Sequence, residues 1–394
     1  MSGQEIRQLR QEELEAFFRL SEFAFQFERS DEERQKEIAE ADHRDFWACF
    51  EDGKLTAKLR LIPFHTWVGG KLFALGGIAS VSTWPEYRRQ GFVADLLRNS
   101  LKVMRENGQM LSGLNPFAFA FYRKYGWESF CEIKQYEIPT AQLPKYTETS
   151  GRMERTEDTG LLNRLYEADA VRYNGMLQRD ETWWKKLQQE WQKGTAAVWT
   201  NDEGVPQGYI RYKISGREME LYELVALEEE ARRALWRFIG NHDSMIERVK
   251  WKAPADDILP FLLPNPRFKQ EVIPYFMVRI VDAPAFLAAY PFTGLGVDTE
   301  IRLTLRDEHA EWNNGSFLIA IDGTGKAEVT SCESIQGREA MSLSCDIQTL
   351  SAMLISRRGP DVLHQIGNLQ GDADAVARLT SLIPAKLPFL NDGY

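Results

Sequence analysis

Apolar positions change their period several times along the chain, and each change marks an element. Leu14, Phe17, Phe18 and the run from Ser21 to Ala24 recur at helical spacing, which predicts a helix over residues 12–25. The stretch 28–45 carries charges of both signs and reads as a solvated helix. Past the Asp52-Gly53 turn the period falls to two: Leu55, Ala57, Leu59, Leu61 and Pro63 alternate with Thr56, Lys58, Arg60 and Ile62. Gly69-Gly70 turns the chain into a second, more apolar strand over 72–81. After Arg89 the period lengthens again. Val93, Leu96, Leu97, Leu101 and Met104 predict an amphipathic helix over 91–107, closed by Asn107-Gly108. A strand at 110–114, a short helix at 116–125 stopped by Gly126, and a strand at 127–138 follow.

Residues 139–157 read as a connector, followed by helices over 159–170 and 180–191. The earlier plan then repeats: strands at 198–200, 208–214 and 220–227, separated by polar turns, lead into a helix at 229–239. A Pro-rich stretch at 260–266 closes this second copy. The last third has strands at 301–305, 317–321, 327–331 and 341–345, then helices at 346–355, 359–366 and 373–383. Strands followed by helices describe an α+β unit.

Composition narrows the function classes. A length of 394 residues suits two to three domains. The 22 Phe, 13 Tyr and 11 Trp supply enough surface for a packed core and argue against disorder. The most apolar window, 275–292, contains Arg279, Asp282, Pro284 and Pro291, so no membrane span is expected. The opening residues lack a basic head and an apolar core, so no secretory leader is expected. Cys49, Cys131, Cys332 and Cys345 form no CxxC pair, and the five histidines make no i,i+4 pair. Reduced thiols, a cytoplasmic location and no metal are the expectation. With 58 acidic and 48 basic side chains the net charge is −10, which disfavours nucleic acid as a partner. An anion would have to bind at a local site.

One segment offers such a site. Val81, Ser82 and Thr83 end a strand, and Arg88-Arg89-Gln90-Gly91-Phe92-Val93-Ala94 turns into a helix. Unpaired amides and the dipole of a helix N-terminus suit a pyrophosphate. Two arginines add charge, and Gly91 removes a Cβ from the approach. At the corresponding place the second copy has Glu228-Glu229-Glu230-Ala231, whose carboxylates would repel a pyrophosphate. The second copy is therefore expected to shape a cleft without binding that ligand.

Residues 88–93 resemble the Q/R-x-x-G-x-G/A signature of the GNAT N-acetyltransferases, with Val93 in place of the final small residue. Phe121-Tyr122-Arg123-Lys124-Tyr125-Gly126-Trp127 resembles that family's later aromatic block. The whole chain resembles the Eis-like (enhanced intracellular survival) acetyltransferases, including the segments 221–238 and 277–283. The resemblance implies a mixed α/β and α+β chain of tandem GNAT domains. A catalytic one would cover 1–145 and a degenerate one 146–284, followed by a sterol-carrier-protein-2-like α+β domain over 285–394.

It further implies an acetyl-CoA-dependent transfer to an amine of the aminoglycoside, polyamine or lysine type. Tyr122 would be the acid and the terminal carboxylate of Tyr394 the base. Val81, Ser82, Thr83, residues 88–94, Asn115, Phe117 and Ala118 would hold the donor. Phe23, Gln26, Phe27 and Glu28 would line the amine pocket. The bulk of Phe117 departs from the family pattern at that wall. The family form also implies a homo-oligomer, a hexamer by analogy. The competing expectation is a non-catalytic acyl-CoA or lipid sensor built on the same fold.

Overall fold

A computed structural model of the chain describes residues 4–146, 148–190, 194–332, 341–356 and 358–394. Three sheets carry the fold. Sheet one contains β1 (Gln4–Gln8), β2 (Phe46–Glu51), β3 (Lys54–Val68), β4 (Lys71–Thr83), β5 (Leu111–Leu114) and β6 (Glu128–Ser129). Sheet two contains β7 (Glu132–Pro139), β8 (Arg152–Thr156), β10 (Thr195–Thr200), β11 (Pro206–Ser215), β12 (Glu218–Ala226), β13 (Arg248–Pro254) and β14 (Lys269–Pro274). A two-residue strand, β9 (Tyr173–Asn174), stands apart from it.

A further strand, β15 (Met277–Ile280), returns to sheet one and completes the order β1-β2-β3-β4-β5-β15-β6. Sheet two has the matching order β8-β10-β11-β12-β13-β7-β14 when read from the same end. The two copies of the plan therefore exchange their sixth strands. The stretch 127–138, expected as one strand, is two: β6 stays in sheet one and β7 crosses to sheet two. Alternation alone cannot separate them, because the break at Phe130 and Cys131 is itself apolar and buried.

The helices pack on these sheets. The first copy carries α1 (Leu14–Phe25), α2 (Asp31–Glu40), α3 (Phe92–Glu106) and α4 (Phe119–Arg123). The second carries α5 (Thr159–Ala170), α6 (Glu181–Glu190), α7 (Glu229–Gly240) and α8 (Leu259–Leu262). Side-chain caps explain several starts: Ser30 and Glu33 form a capping box for α2, and Asp158 caps α5. The connector expected at 139–157 contains the edge strand β8, hydrogen-bonded to β10.

The last third begins with α9 (Ala283–Ala289), which packs against a five-stranded sheet. That sheet contains β16 (Thr299–Arg306), β17 (Gly315–Ile321), β18 (Ala327–Ser331), β19 (Met341–Asp346) and β20 (Gln370–Gly371). Helices α10 (Ile347–Ile355), α11 (Pro360–Gln365) and α12 (Ala373–Leu382) accompany it. Its core runs without interruption into sheet one, through Phe64, Leu75, Ile280, Leu303, Leu343 and Leu390. The chain then turns back. β21 (Leu387–Pro388) pairs with β9, and the last residues pass between the two copies. Among the described residues, no helix is long and apolar enough to cross a membrane.

Candidate active site

The site begins with a fork in sheet one. β4 runs parallel to β5 from Leu75–Leu111 to Ile78–Leu114, and beyond that pair the strands part. A bulge opens the fork. Ala79 faces Arg60 and Ser82 faces Lys58, so two residues of β4 oppose the single Leu59. Ser80 takes φ 54°, the left-handed conformation that lets the strand carry the extra residue. Past the bulge, Val81, Ser82 and Thr83 have no strand partner on the side away from β3 among the described residues.

The turn from β4 to α3 supplies donors. Arg89 at φ 64° and Gly91 at φ 94° alternate with ordinary backbone, which curls the peptide into a concave nest. The first helical bond runs from the Asp95 amide to the Gly91 carbonyl. The amides of Phe92, Val93 and Ala94 are thus left as the orphan donors of a helix start. Arg88 and Arg89 are exposed and make no ion pair among the described residues. Gln90 turns away, and its side chain donates to the Glu86 carbonyl.

A cleft of about 730 Å³ opens over this nest. Val81, Ser82, Thr83, Arg88, Arg89, Gly91, Phe92, Val93, Ala94 and Phe117 line it. Asn115 and Ala118 lie off it, at the end of β5 and the start of α4. The structure adds Ala24, Phe25, Tyr87, Phe121 and Tyr125 to the wall. Ala24 and Phe25 were legible, because they extend the Phe17–Ser21 stripe of α1 by one turn. The residues singled out beside them fall elsewhere. Phe23 stacks on Trp84 at 5.0 Å, Gln26 caps α1 at φ 57°, Arg29 lies over Phe27 at 4.5 Å, and Glu28 is exposed.

Tyr122 sits behind the cleft wall. Its ring is buried against Phe117, Phe121 and Trp127, with centroids 5.5, 5.1 and 6.4 Å away. Burial pushes its phenol pKa up, so it stays protonated. Tyr394 reaches the fork from the opposite side. Its ring packs on Phe64 and Phe276 at 4.9 and 5.1 Å. Gly77 and Gly113, paired across β4 and β5, make room for it. A Cβ would come within 2.8 Å of the ring at Gly77 and 2.6 Å of the phenol oxygen at Gly113. Desolvation also raises this phenol's pKa.

The second copy has no such nest. Eight positions separate the end of β4 from the helix cap at Gly91, but only two separate Ala226 from the cap at Glu228. Gly91 therefore corresponds to Glu228, three positions before the Ala231 suggested by the sequence. The loop that would hold phosphates is missing, and Glu229 instead pairs with Arg232. Among the described residues, no group of three or more His, Cys, Asp or Glu is placed to hold a metal ion.

Comparison with known proteins assigns this architecture. Residues 5–130 and 175–280 each match a family of acetyltransferase (GNAT) domains, and 283–391 match a sterol carrier protein domain. The chain is 26% identical over 312 residues to an uncharacterised N-acetyltransferase of Streptomyces griseus, covering 72% of this chain and 74% of that one. A probable N-acyltransferase from Enterococcus faecalis superposes with a TM-score of 0.91 at 29% identity, over 100% of both chains. Eis1 from Mycobacterium abscessus has the same fold, with a TM-score of 0.79 at 21% identity over 99% of this chain and 100% of that one. Two acetyltransferase (GNAT) domains in tandem, with a sterol carrier protein domain behind them, make this an acyltransferase of the GNAT family.

Proposed function

We propose that the chain transfers the acetyl group of acetyl-CoA to a primary amine of the aminoglycoside, polyamine or lysine type. The observation that carries this reading is the nest at 89–94. It combines open amides, the exposed Arg88 and Arg89 and an adjoining open strand edge in one cleft. The pyrophosphate would sit on the α3 amides between Arg88 and Arg89. The pantetheine arm would run along Val81–Thr83 in place of a strand, its amides paired with theirs. The acetyl group would then lie in the fork.

The amine nitrogen attacks the thioester carbonyl carbon, and the C–S bond breaks. The Tyr394 carboxylate takes the amine proton, and the Tyr122 phenol gives its proton to sulfur as negative charge develops there. The excess of acidic over basic side chains favours a cationic acceptor.

The test is a panel of amines assayed for release of free CoA thiol. Arg88→Glu with Arg89→Glu should raise the acetyl-CoA KM about 100-fold or more, since each charged hydrogen bond is worth ~1.5–3 kcal/mol. Tyr122→Phe should lower kcat at least tenfold with little change in that KM. Unaltered acetyl-CoA binding in the double variant would remove the pyrophosphate assignment.

A further inference from the structure

The second copy retains a fork but holds no phosphate nest. β12 runs parallel to β13 only from Glu218–Arg248 to Leu221–Trp251, and then the strands part. The chain's own tail lies in that opening. The Asn391 side chain donates to the Tyr222 carbonyl at 2.9 Å, on the first residue past the last strand pair. This is the backbone position corresponding to the strand edge that opens past Ile78 in the first copy. Upstream, Leu387 and Pro388 pair with Tyr173 and Asn174, and the Phe389 amide donates to the Asn174 carbonyl at 2.9 Å.

The next residue is locked. Asp392 is fully buried and accepts from Arg179 Nε at 3.0 Å, from Trp183 Nε1 at 2.9 Å and from the Tyr166 hydroxyl at 3.2 Å. Arg179, also fully buried, spans to Glu223 of β12 at 2.5 Å, and Tyr209 donates to the other Glu223 oxygen at 2.9 Å. The Arg179 guanidinium lies over the Tyr166 ring at 3.7 Å. Two carboxylates and one guanidinium, all out of water, hold one geometry strongly, because removing any partner strands a charge. Two residues on, the Tyr394 ring enters the Gly77–Gly113 socket beside the first copy's fork. Trp183 bridges the two anchors, since its ring also meets Phe64 at 4.9 Å, and Phe64 carries Tyr394.

We propose that the degenerate second copy is a clamp for the tail. Its vacated fork holds residues 389–391, and Arg179, acting through Asp392, is the positioning residue that sets residue 394 at the reacting centre. This rests on the proposed role of the Tyr394 carboxylate as base. Arg179 and Asp392 touch neither substrate. Their effect is to convert a flexible terminus into a fixed group, a gain in effective concentration rather than in binding.

The experiment compares the full chain with Asp392→Asn, Arg179→Lys and the milder Asn391→Ala. Three quantities are read: kcat, the acetyl-CoA KM, and the rate at which carboxypeptidase Y releases Tyr394 from the native protein. Expected for Asp392→Asn are a kcat at least tenfold lower, a KM within about twofold of the starting protein, and a release rate at least tenfold higher. Arg179→Lys, which keeps the charge, should fall between. Asn391→Ala should show the same split, more weakly, and supplies the result if Asp392→Asn does not fold. An unchanged release rate overturns the clamp, and faster release with unchanged kcat overturns the positioning role. A separate arm appends residues after Tyr394 and leaves Arg179 and Asp392 intact. Full turnover there ends the reading of the terminal base, while the release assay still reports on the clamp.

Discussion

The Lys58 amine shows how burial can loosen the hold on a proton that the sequence alone would leave firm. It lies on β3 opposite the bulge, is fully buried, and donates to the Ser21 hydroxyl at 2.5 Å. It rests over the Phe17 ring at 3.8 Å, and no carboxylate pairs with it among the described residues. Desolvation, helped by the Arg29 charge, holds its pKa well below that of an exposed lysine. The unfolded chain therefore holds this proton more tightly than the native state does, so the residue costs stability at neutral pH. That cost shrinks as pH rises toward the unfolded value of ~10.4. Lys58→Met removes the titrating group and leaves Ser21 its bond to the Phe17 carbonyl. The variant should be more stable than the parent at pH 7, by at least about 1 kcal/mol, since one pKa unit is ~1.4 kcal/mol. Urea midpoints at pH 7 and pH 9.5 should show this advantage narrowing. A gap that stays constant with pH would mean that Lys58 is charged in the fold. Alternation correctly placed Lys58 on β3 but gave no sign of the amine's confinement beneath α1.

At the scale of elements, the phosphate nest depends on one glycine. Gly91 holds φ 94° at the cap of α3, and an added methyl would meet no protein atom within 4 Å. Gly91→Ala should therefore cost backbone strain alone, about 1–2 kcal/mol. The turn would relax by moving its amides out of register. Calorimetric titration with CoA should show several-fold weaker binding, with the KM for the amine unmoved. Equal CoA affinity would mean that the amides of this turn do not hold the phosphates. Helix α3 and its nest were legible because five apolar positions keep phase over about three turns and an Arg-Arg-Gln-Gly run precedes them. The bulge at Ser80 was not, since nothing in Ala79-Ser80-Val81 signals a left-handed residue. Nor was β15: four residues give only two repeats of a strand period, too few to distinguish Met277–Ile280 from any apolar run. In the second copy the shorter connection places Glu228, not Ala231, at the position of Gly91, and a deletion leaves no residue to read.

At the scale of the molecule, the exchange of β7 and β15 makes each GNAT sheet depend on the other half of the chain. Met277–Ile280 pairs with β5 on one side and β6 on the other, inside a sheet it reaches only after the second copy is complete. Its Arg279 is fully buried, bonds the carbonyl of Tyr125 in the cleft wall, and pairs with Asp307 of the sterol carrier domain at 2.5 Å. A fragment of residues 1–145 would lose this strand and leave the facing edges of β5 and β6 open. It would also carry β7 with neither of its sheet-two neighbours, β13 and β14. Removing Met277, Val278 and Ile280, all fully or nearly fully buried, uncovers about 1.5–3 kcal/mol of apolar stabilisation for each side chain. That sum is comparable to the whole stability of an ordinary domain. The 1–145 fragment should therefore bind a hydrophobic dye, lack near-ultraviolet circular dichroism and melt without a sharp transition. Joining residues 275–283 to its end through a flexible linker should restore part of that signal. The intact chain should unfold in a single cooperative step, because neither GNAT sheet is complete until both copies are present and the core of the last third runs into the first sheet. A 1–145 fragment with a sharp melt would show that the exchanged strand decorates the first GNAT sheet instead of building it.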